Sequence, residues 1–268
     1  MHYEHWGLRE APFDSHQQPR WFYSNPVHDE ALARLHYLLD SRRRLGLLLG
    51  ESGCGKSMVL RMLAHQLRST TAQVAVIGLW AVEPEEMLEQ LALAWGLDPA
   101  PGESCSRIWR RLNDRLAEHR LQRLASVILF DDADRAPPAT HTQIERLAQC
   151  DTFAGGGLTI VLSAQRDYAH RISHRLLELG DLRIDLGPWS LADTQGYVAH
   201  VLRQAGRSRP AFDAQAIERL HELAGGVPRQ INQLGELSLV AGAGQQLNLV
   251  DMHTVETVSD ELRVPDGV

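Results

Sequence analysis

Leu45-Gly46-Leu47-Leu48-Leu49-Gly50-Glu51-Ser52-Gly53-Cys54-Gly55-Lys56-Ser57 is the stretch on which the fold turns. From Gly50 onward it fits the G-x-x-x-x-G-K-[ST] phosphate-binding loop, in which backbone N–H groups surround phosphate oxygens and a lysine reaches the β- and γ-phosphates. Lys56 is the sole lysine of the 268-residue chain; the other twenty-six of its 27 basic residues are arginines. A compact ammonium on a flexible stem fits beneath such a loop, whereas a planar guanidinium is too wide, so this is the position where arginine is not a substitute. The apolar run Leu45–Leu49 has the length of a buried parallel strand, and apolar residues recur at helical spacing from Met58 to Leu67. Strand, glycine loop and helix N-terminus therefore follow in the order that offers a phosphate both loop amides and the positive end of a helix. Nucleotide contacts are expected at Gly50, Glu51, Ser52, Gly53, Cys54, Gly55, Lys56, Ser57 and Met58, with ATP and Mg²⁺ as the cofactors.

Outward from this loop, four further apolar runs read as strands: Val74–Leu79, Val127–Phe130, Leu158–Leu162 and Leu182–Leu186. Helical segments separate them, one near Glu85–Trp95 and one, rich in arginine, from Arg107 to Arg123, which implies a five-stranded parallel α/β sheet flanked by helices. After Ser190 the pattern becomes helical only. Ser190 and Asp193 have capping-box spacing, Asp213 can cap a helix that stops at Gly225-Gly226, Pro228 suits a first helical position, and a last helix spans about Asp251 to Leu262. The expected organisation is an α/β core with an N-terminal extension over residues 1–189 and a small all-helical domain over residues 190–268.

Composition narrows the class. A hydrophobic content of 44% supports a substantial core, and no stretch reaches the roughly 18 apolar residues of a membrane span. The N-terminus lacks a basic segment followed by an apolar one, so a cytoplasmic protein with no membrane insertion is expected. Three widely spaced cysteines, Cys54, Cys105 and Cys150, form no C-x-x-C pair, and thirteen scattered histidines form no H-E-x-x-H. No metal is expected beyond the Mg²⁺ carried with the nucleotide. The net charge of −7 disfavours nucleic-acid binding driven by the whole protein's field. The Arg107–Arg123 segment could still meet phosphates locally, but Ile108, Trp109, Leu112 and Leu116 at helical spacing favour a solvated helix with one face in the core.

The run Val127-Ile128-Leu129-Phe130 ends in Asp131-Asp132. An apolar strand ending in a carboxylate downstream of a phosphate-binding loop is the arrangement in which the carboxylate holds Mg²⁺ near the loop hydroxyl, here Asp131 and Ser57. An additional strand between the two motifs would place Asp132 across from the loop, where a base can orient water toward the γ-phosphate. The plain alternative for two aspartates after a strand is a turn or helix cap.

Five stretches together resemble the ExeA/GspA-type AAA+ ATPases, relatives of the origin-recognition and transposition ATPases. They are Tyr3-Glu4-His5-Trp6-Gly7-Leu8-Arg9-Glu10-Ala11-Pro12-Phe13, in which Trp6 replaces the first Phe of F-G-L-x-E-x-P-F; Asn25-Pro26-Val27-His28-Asp29-Glu30-Ala31-Leu32-Ala33-Arg34-Leu35; Asp131-Asp132-Ala133-Asp134; Leu162-Ser163-Ala164-Gln165; and Gly226-Val227-Pro228-Arg229-Gln230-Ile231-Asn232. With the phosphate-binding loop they extend the resemblance over nearly the whole chain. The resemblance implies an AAA+ core with a helical lid and an ATPase that works as a homo-oligomer. It also implies an unidentified protein partner in secretion, envelope or surface assembly. By it, Ser163 or Gln165 is the first sensor of the γ-phosphate, Arg229 is the second, and Arg175 or, preferentially, Arg183 is the arginine finger supplied to a neighbouring subunit. A nucleic-acid-associated regulator and an ATP-binding scaffold with little turnover are the alternatives. The family's acidic pair is Asp-Glu, so Asp132, one methylene shorter, is a departure that implies slower hydrolysis. A short form is expected, without the membrane segment and peptidoglycan-binding domain of long members.

Overall fold

The apolar runs become one parallel sheet in a computed structural model that describes residues 2–14, 18–150 and 157–262. Its strands are β1 (Leu45–Gly50), β2 (Gln73–Gly78), β3 (Ser126–Asp131), β4 (Leu158–Gln165) and β5 (Leu182–Leu186). They lie in the order β2-β3-β4-β1-β5, every neighbouring pair parallel. The three inner strands are buried almost throughout, which is why they read as unbroken apolar runs; edge strands β2 and β5 alternate buried and exposed positions. As expected, one strand, β4, separates β1 from β3. Register then aligns the chemistry-bearing ends: Gly50 sits opposite Gln165, and Gly78 opposite Asp131. All of these positions lie at the C-terminal edge of the sheet, the usual place for a ligand in an open α/β fold.

Along the chain the helices are α1 (His2–Trp6), α2 (Pro26–Asp40), α3 (Lys56–Leu67), α4 (Pro84–Ala94), α5 (Cys105–Leu121), α6 (Pro138–Cys150), α7 (His174–Glu178), α8 (Leu191–Gln204), α9 (Ala214–Ala224), α10 (Pro228–Gly244) and α11 (Met252–Leu262). Helix α5 buries Ile108, Trp109, Leu112 and Leu116. On its outer side Arg107, Arg110, Asn113 and Asp114 are exposed and Arg115 pairs with Glu118 at 3.2 Å, whereas Arg111 pairs at 2.9 Å with the nearly buried Glu103 ahead of the helix. None of the helices, among the described residues, is long and apolar enough to cross a membrane.

Contacts group the chain into two units. Pro26–Ser52 with Lys56–Leu186 forms the α/β unit; Met1–Asn25, Gly53–Gly55 and Gly187–Val268 form the helical one. The first 25 residues therefore cluster with the helices and not with the core in which the 1–189 boundary places them. The reason is aromatic. Trp6 donates from Nε1 to the Leu239 carbonyl at 2.8 Å, the Phe13 ring covers Gly235 so closely that a Cβ there would lie 2.9 Å away, and Tyr23 packs edge-on against Trp189 and Tyr197. Within this unit the cap signals hold. Ser190 and Asp193 complete a capping box, Asp213 accepts from Ala216 N, Gly225 ends α9 with a φ of 57°, and Pro228 opens α10.

Candidate functional site

The loop between β1 and α3 carries the chain's sole lysine into a buried position. Lys56 is 7% exposed, and its Nζ donates to the Gly50 carbonyl at 3.0 Å and the Glu51 carbonyl at 2.8 Å. An ammonium is thereby held under the loop at the N-terminus of a twelve-residue helix, where positive charge of ion and helix end add. Gly53 and Gly55 have φ of 84° and 101°, conformations that side chains resist. At Gly53 a Cβ would also come within 2.6 Å of Arg229 Cβ, and Arg229 N–H donates to the Gly53 carbonyl at 3.2 Å. Of the remaining loop positions, Cys54 is buried, Ser57 and Met58 are half-buried, and Gly50 is the last residue of β1.

At the ends of β3 and β4 the carboxylates gather. Asp131 Oδ1 accepts from the Ser163 hydroxyl and, at 3.2 Å, from Asp132 N; Asp132 N also points to Ser163 Oγ at 3.2 Å. Ser163 is fully buried, so its hydroxyl is committed to fixing Asp131. Gln165, two residues on, is half-buried, and its backbone N–H donates to Asp134 Oδ1 at 3.1 Å. Asp134, quoted in the motif without a role, is 3% exposed and ties the β3 exit to the β4 end. The third aspartate in four residues was the signal for it. Asp132 takes the left-handed conformation, φ 55° and ψ 44°, which aspartate tolerates better than longer side chains. Burial, and then the charges of Asp131 and Asp134, raise its pKa; Lys56 and Arg135 pull it back.

The finger candidates stand elsewhere. Arg183 lies within β5 and its guanidinium bonds Asp185 on the same strand, Nε to Oδ2 at 3.0 Å and Nη2 to Oδ1 at 3.2 Å. Arg175, in α7, approaches Glu178 at 3.5 Å. Both are exposed. An additional surface was not legible in the motifs: Arg135 stacks at 4.5 Å over the exposed Trp80 and faces Tyr168 at 5.9 Å, and Arg171 covers Tyr168 at 4.3 Å.

A nucleotide with a divalent cation fits these residues. A buried ammonium lies under the loop at a helix N-terminus, and carboxylates that repel one another would be relieved by a cation. Among the described residues no three His, Cys, Asp or Glu side chains are arranged to hold a metal ion by themselves; a Mg²⁺ there would take further ligands from phosphate oxygens and water.

A family model described as an AAA domain matches residues 39–172. General secretion pathway protein A of Aeromonas hydrophila is 31% identical over 245 residues, covering 90% of this chain and 45% of that protein. The chain thus spans less than half of that relative's length. Among solved structures, Cdc6p from Pyrobaculum aerophilum is similar with a TM-score of 0.72 at 18% identity, over 91% of this chain and 70% of that one. The Aeropyrum pernix ORC1 protein, solved in complex with DNA, gives 0.71 at 19% identity, over 95% and 69%. At such identities the likeness is one of fold.

Proposed function

This chain belongs to the AAA domain family, and from that premise we propose that it binds ATP with Mg²⁺ and hydrolyses it, its nucleotide state regulating a protein partner in secretion, envelope or surface assembly. The observation that carries the reading is the buried Lys56 ammonium, held at the Gly50 and Glu51 carbonyls beneath a glycine loop that opens a helix. In this reading Lys56 exchanges those carbonyls for phosphate oxygens, and the loop from Gly50 to Gly55, with Ser57 and Met58, surrounds them. Ser57 and Asp131 would hold the Mg²⁺, which neutralises phosphate charge when bound. Ser163 keeps Asp131 in place through its hydroxyl, and both of these Asp131 contacts fall on Oδ1, which in this reading leaves Oδ2 for the cation or its water.

Asp132 is the residue that orients water and takes its proton at a carboxylate oxygen. Of Ser163 and Gln165, Gln165 is the first sensor in this reading, because the Ser163 hydroxyl is already engaged with Asp131. Arg229, tied by its N–H to Gly53, reads the γ-phosphate for the helical domain, residues 190–268. Arg183 acts in trans in a homo-oligomer, after leaving Asp185. The likeness to general secretion pathway protein A supports the secretion partner and leaves its identity open. The test is Mg²⁺-dependent phosphate release by the purified chain, followed by capture of partners by ATP-bound and ADP-bound protein. Release that is absent with Mg²⁺, or identical partners in both states, contradicts the reading.

The stack of exposed Trp80, Tyr168 and Arg171 around the half-buried Arg135 favours a second reading, a nucleic-acid-associated regulator, since aromatic faces and guanidinium groups hold bases and phosphates. DNA binding that weakens steeply with salt and is lost in Trp80→Ala would support it.

A further inference from the structure

The helical unit contains a cavity of about 320 Å³ between α8, the 207–212 connection and α9, at the lower end of the size of small-ligand sites. Its floor is apolar, made by the buried Val198, Leu202 and Phe212. Its rim carries Arg203, Arg207 and Arg209, and among the described residues none that lines it is acidic. That local balance runs against the whole chain, which has 34 acidic and 27 basic residues.

Ordinary structural roles cover part of this. Arg203 sits in the last turn of α8, where a cation suits the helix end, and its Nε donates to the Ala199 carbonyl at 3.2 Å. Arg207 braces the connection, donating to the carbonyls of Trp6 at 2.5 Å, Arg209 at 3.0 Å and Pro210 at 2.8 Å. Every one of these acceptors is a neutral carbonyl and Arg207 also faces the Trp6 ring at 5.5 Å, so among the described residues no carboxylate pairs with these guanidinium groups. Burial, and then the neighbouring Arg209 charge, press the Arg207 pKa down. A carboxylate is the group that completes such a site, because guanidinium pairs with it through two parallel bonds.

We propose that this cavity is a docking site for an acidic peptide segment of a partner protein, which inserts an apolar side chain over Val198, Leu202 and Phe212 and sets carboxylates against the arginine rim. A phosphodiester strand satisfies the rim but has no apolar group for the floor, and a peptide supplies both. The inference does not rest on the nucleotide reading, since every lining residue lies in the helical unit and outside the phosphate-binding loop.

The probe is a fluorescein-labelled peptide in which a Leu-Phe pair is flanked by two glutamates on each side, titrated into the full chain without nucleotide and followed by anisotropy. Saturable binding in the micromolar to low-millimolar range is expected, as for a single small apolar anchor with a few charge pairs. Ala199→Trp, at an exposed position on the cavity wall, should weaken it on the order of tenfold or more, as should Arg203→Glu combined with Arg209→Glu. Replacing the peptide's glutamates by glutamine, or its Leu-Phe pair by Gly-Ser, should do the same. Melting curves and oligomeric state of the variants should match the parent; if the charge reversals melt early, Arg209→Gln alone still has to weaken binding. The proposal is overturned by no saturation at low-millimolar peptide, by unchanged binding in both folded variants, by tighter binding of a single-stranded oligonucleotide lost in the same variants, or by dissociation of an oligomer in those variants, which would make a second copy the occupant.

Discussion

Replacing Asp132 by asparagine removes one charge and changes almost nothing else. Asparagine shares aspartate's tolerance of the left-handed backbone, so the φ of 55° is kept, and the Asp132 N–H contacts to Asp131 and Ser163 do not depend on the side chain. The charge removed is one that burial and the neighbouring Asp131 and Asp134 disfavour, so the folded state should not lose stability. If the carboxylate orients water, kcat should fall on the order of 10²-fold, about 2.7 kcal/mol of transition-state stabilisation, with ATP affinity nearly unchanged. Asp132→Glu lacks the left-handed tolerance and should cost up to about 1 kcal/mol of stability, and its longer chain should crowd the water and lower kcat. The assay is phosphate release at saturating ATP and Mg²⁺, with nucleotide Kd by calorimetry and a thermal melt for each protein. Unchanged hydrolysis in Asp132→Asn, or a loss of ATP affinity that accounts for the whole effect, would refute the assignment; faster turnover in Asp132→Glu would show that the shorter side chain is what slows the enzyme.

Gly53→Ala should weaken ATP binding at least several-fold, because a φ of 84° costs alanine about 1–2 kcal/mol and its Cβ would meet Arg229; calorimetry reads it. Arg183→Ala should bind ATP normally and hydrolyse it poorly, and mixing it with Lys56→Ala protein should partly restore turnover; concentration-independent activity of a strict monomer contradicts a finger in trans. His119 is buried against Ser126, at 2.8 Å, and burial followed by the Arg115 charge lowers its pKa below the ordinary 6.5. The unfolded chain therefore binds a proton that the folded one refuses. Stability should fall as pH drops below 6.5, and His119→Gln should flatten that slope in urea melts taken from pH 7 to 5.

What was legible in the chain was local. Apolar runs mark the five strands of the described residues, unbroken for the inner β1, β3 and β4 because these are buried on both faces, and Ser190, Asp213, Gly225 and Pro228 mark helix ends because each satisfies a particular backbone need. The less legible features depend on contacts across long separations. Trp6 and Phe13 look like part of an N-terminal extension of the core until their partners, Leu239 and Gly235, are known. The bond from Ser163 to Asp131 crosses from β4 to β3, and strand register alone brings the two together, so spacing left Ser163 and Gln165 equivalent. The left-handed turn at Asp132 offers a reason for aspartate at that position that a motif comparison does not contain.

We expect an exchange in which a phosphate chain replaces the Gly50 and Glu51 carbonyls around Lys56. Its most direct test is the ATP dissociation constant of three proteins measured with Mg²⁺: the parent chain, Lys56→Ala and Lys56→Arg. Both variants should lose ATP affinity by on the order of tenfold or more, the arginine because its planar fork does not fit where the ammonium lies. Near-parental affinity in Lys56→Arg would contradict it.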